Sequence, residues 1–392
     1  MDTRKKVLQT AVEAVLPEII ELRHKLHTIP EISFREVKTA ELIRNFLSKT
    51  SVELSPPLLK TDTIALLKGG SEGKCIAFRS DIDALPITDK SGLPWFSKHR
   101  GFHHACGHDG HMAIVCGTVL VLDSLADMLS GSVRFIFQPA EEEGLGGEKL
   151  AGMGVMEGPP KADAVFALHG WPGYPLGVAA GKEGVLMAGA DQFTVRVEGP
   201  GGHGAMPQLT ADTITAAAEI ITKLPSIVSR KVAAQDAAVV SVGSVHGGNA
   251  RNAIPDVVVI EGTVRYLRES VKACIKNSME EIIAGCAQVY GAEYEFQYID
   301  GYIPLENDPE MTEFARTIVR KYIGRDNWLE LRDPSMGSED FAYFLRETPG
   351  ALIWLGLGEE SPGLHTPVFD FDDKALRYGI TLLSGLALDF LK

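Results

Sequence analysis

The chain of 392 residues is short of cysteine, aromatic side chains and positive charge, and it has no long apolar run. Its five cysteines (Cys75, Cys106, Cys116, Cys274, Cys286) are odd in number and thinly spread, which excludes a disulfide framework. Most of these thiols are expected to behave as small buried hydrophobes. Cys106 alone stands among polar neighbours that could ligate a metal. Lys and Arg total 38 against 52 Asp and Glu, a formal net charge of −14. Nucleic-acid binding rests on clustered cations that neutralise phosphates, so neither nucleic acid nor an anionic membrane surface is an expected partner. No stretch approaches the roughly 18 apolar residues of a spanning helix. The opening MDTRKKVLQTAVEAVLPEII reads as a mixed helix without an apolar signal core, so the expected location is cytoplasmic.

What is present is an ordinary globular composition, 45% hydrophobic and 23% charged, in a chain long enough for two cores. The first part alternates helical patterns, near 7–27, 36–49 and 111–129, with short runs apolar on both faces: CIAFRS, SVRFIF and DAVFAL. Such runs between amphipathic helices predict an α/β domain with a mostly parallel sheet covered by helices on both faces. From about residue 185 the order becomes strand, helix, two strands, helix, strand. This βαββαβ order predicts a small α+β ferredoxin-like domain. Helix–strand alternation resumes after Pro304. The expected organisation is a discontinuous first domain over 1–186 and 302–392, with an inserted domain over 187–301.

Three of the apolar runs lead directly into acidic or imidazole residues: Asp81 and Asp83, then Glu141, Glu142 and Glu143, then His169. Ligands of open parallel sheets bind beyond the carboxyl ends of the strands, so these side chains can converge. Between the first two runs lies HHACGHDGH, residues 103–111. Cys106 and His108 can face one ion from a loop, and His108 and His111 have the spacing of one helical face. Thiolate with imidazole suits Zn, Co, Ni or Mn better than Mg or Ca. A loop whose histidines merely cap a helix would explain one histidine, but not this cluster together with carboxylates at strand ends. Adjacent carboxylates beside a divalent ion can divide the work, one as ligand and one as base. His203 and His365 are further candidates in loops. A thiol nucleophile at Cys106 would leave the acidic residues without a task.

The motifs RHKLHTIPEISFREVKTA, RSDIDALP, HHACGHDGH, FQPAEEEG, ALHGWP, GGHGAMP, NAIPD, GSEDFAYF and HTPVFDFD follow one another in this order. The set resembles the amidohydrolase branch of the dinuclear aminoacylase and carboxypeptidase metallopeptidases, which includes hippurate hydrolases, N-acyl-L-amino acid amidohydrolases and indole-acetyl amino acid hydrolases. The resemblance spans almost the whole chain. It implies two divalent metal ions per subunit, Mn, Zn, Ni or Co, and an inserted domain that forms a homodimer or homotetramer. Carried over by motif, the metal ligands are Cys106, bridging, with His108, Glu142, His169 and His365. Glu141 is the general base, and Asp83 and Asp109 are supporting residues, one of which orients a ligand imidazole. His203 and Asn252 resemble the residues that stabilise the oxyanion or bind the substrate carboxylate, with His203 supplied by the neighbouring subunit. Arg265 is a further candidate for that anion.

The activity implied is hydrolysis of the amide bond of N-acyl-L-amino acids. A dipeptidase, a carboxypeptidase or an N-acetyldiaminopimelate deacetylase would use the same centre, and a metal-binding scaffold without turnover is the alternative from another class. Two positions depart from the pattern. Position 103, often Met in the family, is His103, and Gln208 stands where His often follows GAMP. His104 and His111 are expected to hold the loop and the helix.

Overall fold

The computed structural model describes residues 3–392. The chain divides into two compact units, one comprising residues up to Leu186 with Glu306–Asp333 and Asp340–Lys392, the other Met187–Leu305 with Pro334–Glu339. Sequence pattern alone assigns all of 302–392 to the first domain. The segment Pro334–Glu339 clusters with the second unit instead, since Ala188 N–H donates to the carbonyls of Ser335 (3.0 Å) and Gly337 (2.9 Å).

The first unit is built on an eight-stranded sheet. Its strand order is Glu53–Leu54, Thr63–Lys68, Ser130–Gln138, Ser71–Asp81, Ala164–Trp171, Gly350–Gly356, Ala179–Gly181 and Trp328–Glu330. The strands Ser130–Gln138, Ser71–Asp81, Ala164–Trp171 and Gly350–Gly356 run parallel. Antiparallel pairing is confined to positions further out, at Glu53–Leu54, Thr63–Lys68 and Ala179–Gly181. The central strands are buried along nearly their whole apolar lengths, because both faces are covered.

Alternation sorts the side chains. Ile76, Phe78, Val133, Phe135, Phe137, Ala164 and Phe166 enter the main core, which also holds Ile19, Ile114, Ile380 and Leu383 from the helices Thr3–His27, His108–Ser124 and Asp373–Phe390. Arg79 and Gln138 bond instead to Asp340, whose carboxylate also accepts from the Gly147 amide at the start of a short helix. Among the described residues no helix is long and apolar enough to cross a membrane.

The second unit carries a four-stranded antiparallel sheet, ordered Ala238–Gly247, Val257–Tyr266, Gly189–Glu198, Glu293–Tyr302. With the helices Thr213–Lys223 and Glu269–Val289 this is the βαββαβ arrangement. One sheet face packs Phe193, Val195, Val197, Ile260 and Val264 against Ile220, Ile275, Met279 and Ile283 of the helices. The other face is solvated, which produces the in-out alternation along Ala238–Gly247.

Two aromatic rings of the motif HTPVFDFD fix the helix that carries His108. A Cβ added at Gly110 would lie 2.4 Å from the Phe371 ring, and one at Gly107, in the left-handed region at φ +84°, would lie 3.1 Å from it. Gly110→Ala is therefore expected to cost about 1–3 kcal/mol through overpacking. The measurement is the midpoint of chemical denaturation, and an unchanged midpoint would show that Phe371 can move aside freely.

Candidate metal centre

The helix His108–Ser124 begins three residues before the expected start at 111, so His108 and Asp109 occupy its first turn. Gly107 makes the turn possible. Its positive φ reverses the chain just ahead of the helix, and Gly110 and His111 N–H close back on its carbonyl at 2.9 and 3.1 Å. Cys106 is thereby presented from the last loop position and His108 from the first helical one.

The expected ligands come together in two groups that share the thiol. The donor atoms of Cys106, His108 and His169 lie within 4.8 Å of one another, and so do those of Cys106, Glu142 and His365. Cys106 Sγ is 3.5 Å from His169 Nε2 and 3.3 Å from His365 Nε2. Glu142 Oε1 is 3.5 Å from His365 Nε2 and 3.8 Å from His108 Nε2. Glu141 joins a third group with His108 and Glu142 and is buried, whereas Glu143 is exposed. This separates the three adjacent glutamates: two face the cluster and one does not. His365 leaves the centre one open side, its side chain being 51% exposed.

The imidazoles are held with one nitrogen turned inward. His108 Nδ1 donates to the Asp83 carbonyl at 2.9 Å, and His169 Nδ1 to the Gly170 carbonyl at 2.9 Å. A carbonyl only accepts, so Nδ1 carries the proton and Nε2 faces the cluster in both rings. Burial alone would discharge His108, yet Asp81, Asp83 and Glu142 outweigh it and hold its pKa up at about 10. The extra proton would sit on Nε2, which is buried without a hydrogen-bond partner. A divalent ion meeting the Nε2 lone pair fits that position better. Burial, with Glu142, Glu141 and Asp81, pushes the Cys106 thiol well above its ordinary range. A bare thiol so placed is a poor nucleophile, and only a cation would make it a good ligand.

Asp83 ties these parts together. Its carboxylate accepts from the amides of Glu141 and Glu142, both at 3.1 Å, and from the Ser33 hydroxyl at 2.8 Å, while Oδ1 stands 3.4 Å from His108 Nδ1. Asp109 does not share this task. Its carboxylate turns to His27 Nδ1 (2.8 Å) and Arg23 (3.3 Å), holding the helix Thr3–His27 and not an imidazole of the dinuclear cluster. His111 does hold the structure, donating from Nδ1 to Asp81 (2.7 Å) and accepting at Nε2 from the Gly170 amide (2.7 Å). With both nitrogens engaged, it is no ligand. His104 makes no hydrogen bond through its ring, and burial lowers its pKa to about 3.

Sequence reasoning passed over Glu36, and it placed Asp81 at a strand end beside the site without giving it a task. Glu36 lies in a quoted motif, but no neighbour in the sequence marks its task. Glu36 accepts from the Ala140 amide at 2.9 Å and from the Thr61 hydroxyl at 2.9 Å, securing the residue just before Glu141. Ala140 has a left-handed φ of +56°. Asp81 pairs with Arg79 at 2.8 Å and fixes His111.

In the second unit, short strands Gly202–His203 and Ala253–Ile254 pair, with His203 opposite Ala253, and the Gly204 amide donates to the Asn252 carbonyl. His203 Nδ1 accepts from the Ala205 amide at 3.1 Å, so Nε2 carries the hydrogen of the neutral ring. His203 and Asn252 are thus neighbours on the surface. Arg265 is not with them. It pairs with Ala190, whereas Val257, next to the Asn252 loop, pairs with Glu198. From Val257 to Arg265 the strand covers about 26 Å at about 3.3 Å per residue.

Residues 77–389 match the peptidase family M20/M25/M40. An N-acetylcysteine deacetylase of Bacillus subtilis is 39% identical over 97% of this chain and 99% of its own. An N-acetyldiaminopimelate deacetylase of Lactobacillus acidophilus is 35% identical over 95% of this chain and 97% of its own. A crystal structure from Bacillus subtilis, described as a dinuclear metal binding peptidase of family M20, superposes with a TM-score of 0.84 at 35% identity, covering 97% of this chain and 99% of that one. The chain belongs to the M20/M25/M40 peptidase family, a metal-dependent hydrolase of amide C–N bonds.

Glu36 supplies a pH test that needs no metal. Burial first, then the charge of Asp83, raises its pKa to about 7, against hydrogen bonds that lower it. A carboxyl raised on folding contributes stability that is complete below its unfolded pKa, about 4.3, and lost as pH rises through the folded value. Glu36→Gln keeps an acceptor for Ala140 and removes the titration. Relative to this variant, the wild-type denaturation midpoint is expected to fall between pH 5 and pH 8, and parallel curves would refute the assignment.

Proposed function

We propose that the chain hydrolyses the amide bond of N-acyl-L-amino acids, of the N-acetyl or N-benzoyl type, releasing a carboxylate and a free amino acid. One observation carries this reading: two donor groups share the Cys106 thiol, and a further buried carboxylate, Glu141, stands beside them. The described activities of the two deacetylase relatives support it.

Cys106, His108 and His169 would hold one divalent ion, and Cys106, Glu142 and His365 the other. The donor set suits Zn, Mn, Co or Ni. When bound, such ions polarise the amide carbonyl and acidify water. The protein's own part is proton transfer and orientation. A Glu141 carboxylate oxygen takes a proton from the attacking water and delivers it to the amide nitrogen as the C–N bond breaks. Asp83 keeps the Glu141–Glu142 backbone and the His108 ring in register. The Nε2–H of His203 and the side chain of Asn252 donate to the developing oxyanion or to the substrate carboxylate.

The separation of Arg265 from His203 and Asn252 favours a division of labour between copies of the chain in a dimer. In such a dimer His203 of one copy would serve the substrate at the other copy's centre. A dipeptidase or carboxypeptidase would need only a different acyl pocket around the same centre. A panel of acetyl-, benzoyl- and aminoacyl-amino acids separates the possibilities. A scaffold would have no use for Glu141 at the cluster.

Glu141→Gln is expected to keep its metal content while kcat falls by about 100-fold or more, as on loss of a general base. A fully active variant would remove Glu141 from the mechanism. Mixing two inactive proteins tests the shared site. Subunit exchange between Glu141→Gln and His203→Ala homodimers leaves one complete site in each hybrid dimer, about a quarter of wild-type activity in an equal mixture. No recovery, despite demonstrated exchange, would place His203 and Glu141 of the same copy at one site.

A further inference from the structure

His103 takes no part in the dinuclear cluster, yet it is fully buried, and both its ring nitrogens lack a hydrogen-bond partner. His27 Nε2 is buried and unbonded in the same way. We propose that His27, Asp89 and His103 form a third divalent-cation site, sharing no ligand with the dinuclear centre, that takes zinc or another imidazole-binding transition ion.

The geometry is close to that of a bound ion. Donor atoms of the three residues lie within 4.8 Å of one another. His27 Nε2 is 3.4 Å from Asp89 Oδ2, and His103 Nε2 is 3.9 Å from Asp89 Oδ1. Ligands bonded at about 2.0–2.2 Å around a tetrahedral zinc stand about 3.3–3.6 Å apart, so the two contacts to Asp89 need only a small contraction. Each ligand is already oriented. His27 Nδ1 donates to Asp109 at 2.8 Å, which turns the Nε2 lone pair toward Asp89 and makes a carboxylate–histidine pair of the kind that backs zinc ligands. Asp89 is held by the amides of Ser91 and Ser97, which donate to its two oxygens at 2.8 Å each. The backbone of His103 is clamped to Leu85 by two hydrogen bonds of 3.1 Å.

The charge balance asks for a cation there. Asp89 and Asp109 flank His27, and the nearby Arg23 is matched by Asp370 (2.9 Å) and Asp373 (2.6 Å) as well as by Asp109. The competing occupant is a proton. Burial opposes it, but Asp109, together with Asp89, overcomes that and raises the His27 pKa to about 9. A proton on His27 would still leave His103 Nε2 buried and 3.9 Å from Asp89, outside hydrogen-bond reach. A divalent ion engages both rings and Asp89 at once. It would tie the end of the helix Thr3–His27 to the loop that presents Cys106.

The test is metal content. Wild type, His103→Met and Asp89→Asn are expressed with zinc, dialysed and measured by atomic emission, and a zinc-edge anomalous map is collected on wild-type crystals. The expected result is three ions per chain in wild type, two in either variant, and an anomalous peak between His27, Asp89 and His103. Should the dinuclear assignment fail, wild type would still exceed His103→Met by one ion, so the two failures are distinguishable. Equal metal in wild type and folded His103→Met, or no anomalous peak at these residues, overturns the proposal. If both variants fail to fold, the wild-type map alone decides.

Discussion

The carboxylate of Asp83 is the contact on which the candidate centre depends. It is fully buried, and it accepts from the backbone of Glu141 and Glu142 while its residue's carbonyl holds His108. A base, a carboxylate ligand and an imidazole ligand are thus registered against one residue at the end of the central strand. A buried carboxylate is tolerable only when hydrogen-bonded, and Asp83 is supplied by two amides, a serine hydroxyl and the facing imidazole. Together these hold its pKa down against burial. Had it been neutral, one acceptor oxygen would have become a donor, and the glutamate loop would have lost an anchor.

Around this anchor the centre collects more negative charge than its own side chains can balance. Asp81, Asp83, Glu141 and Glu142 surround one thiol and three imidazoles, and the nearest guanidinium, Arg79, is engaged by Asp81 and Asp340. The upward shifts of both His108 and Cys106 are two expressions of the same imbalance. Imidazole gains a proton from the field of the carboxylates, and the thiol refuses to lose one. A pair of divalent ions would reverse both at once, which is why a thiol can serve here as a shared ligand and not as a nucleophile.

Much of this was legible in the sequence, and the parts that were not share a cause. Runs such as SVRFIF announced parallel strands because burial on both faces leaves no room for polar alternation. Acidic and imidazole residues at their ends announced a site because strand ends of a parallel sheet open onto one crevice. Asp109 turns away from His108, and adjacency to a ligand-type residue says nothing about direction. On the first helical turn, successive side chains diverge by about 100°, so the neighbour of a ligand points elsewhere. Glu36 and Arg265 illustrate the same limit over longer spans. Glu36 acts on Ala140, 104 positions away, through a hydrogen bond, and Arg265 is removed from Asn252 by the length of a strand although only a short loop intervenes.

The backbone conformations next to the cluster follow from its chemistry. Ala140, before Glu141, and His365 itself adopt left-handed φ values of +56° and +60°. Each such residue costs of order 1–3 kcal/mol and persists only where surrounding contacts overdetermine it. At Ala140 these contacts are visible: Glu36 accepts from its amide, and its carbonyl accepts from Gly146 at 3.0 Å. At His365 the amide donates to the Ala105 carbonyl at 2.8 Å, binding its loop to the segment that holds Cys106. The strain therefore falls on the two chain segments that must deliver Glu142 and His365 to the same side of one sulfur. Relaxing either to an extended conformation would turn its ligand away and break up the second donor group, leaving the thiol shared by the first group alone.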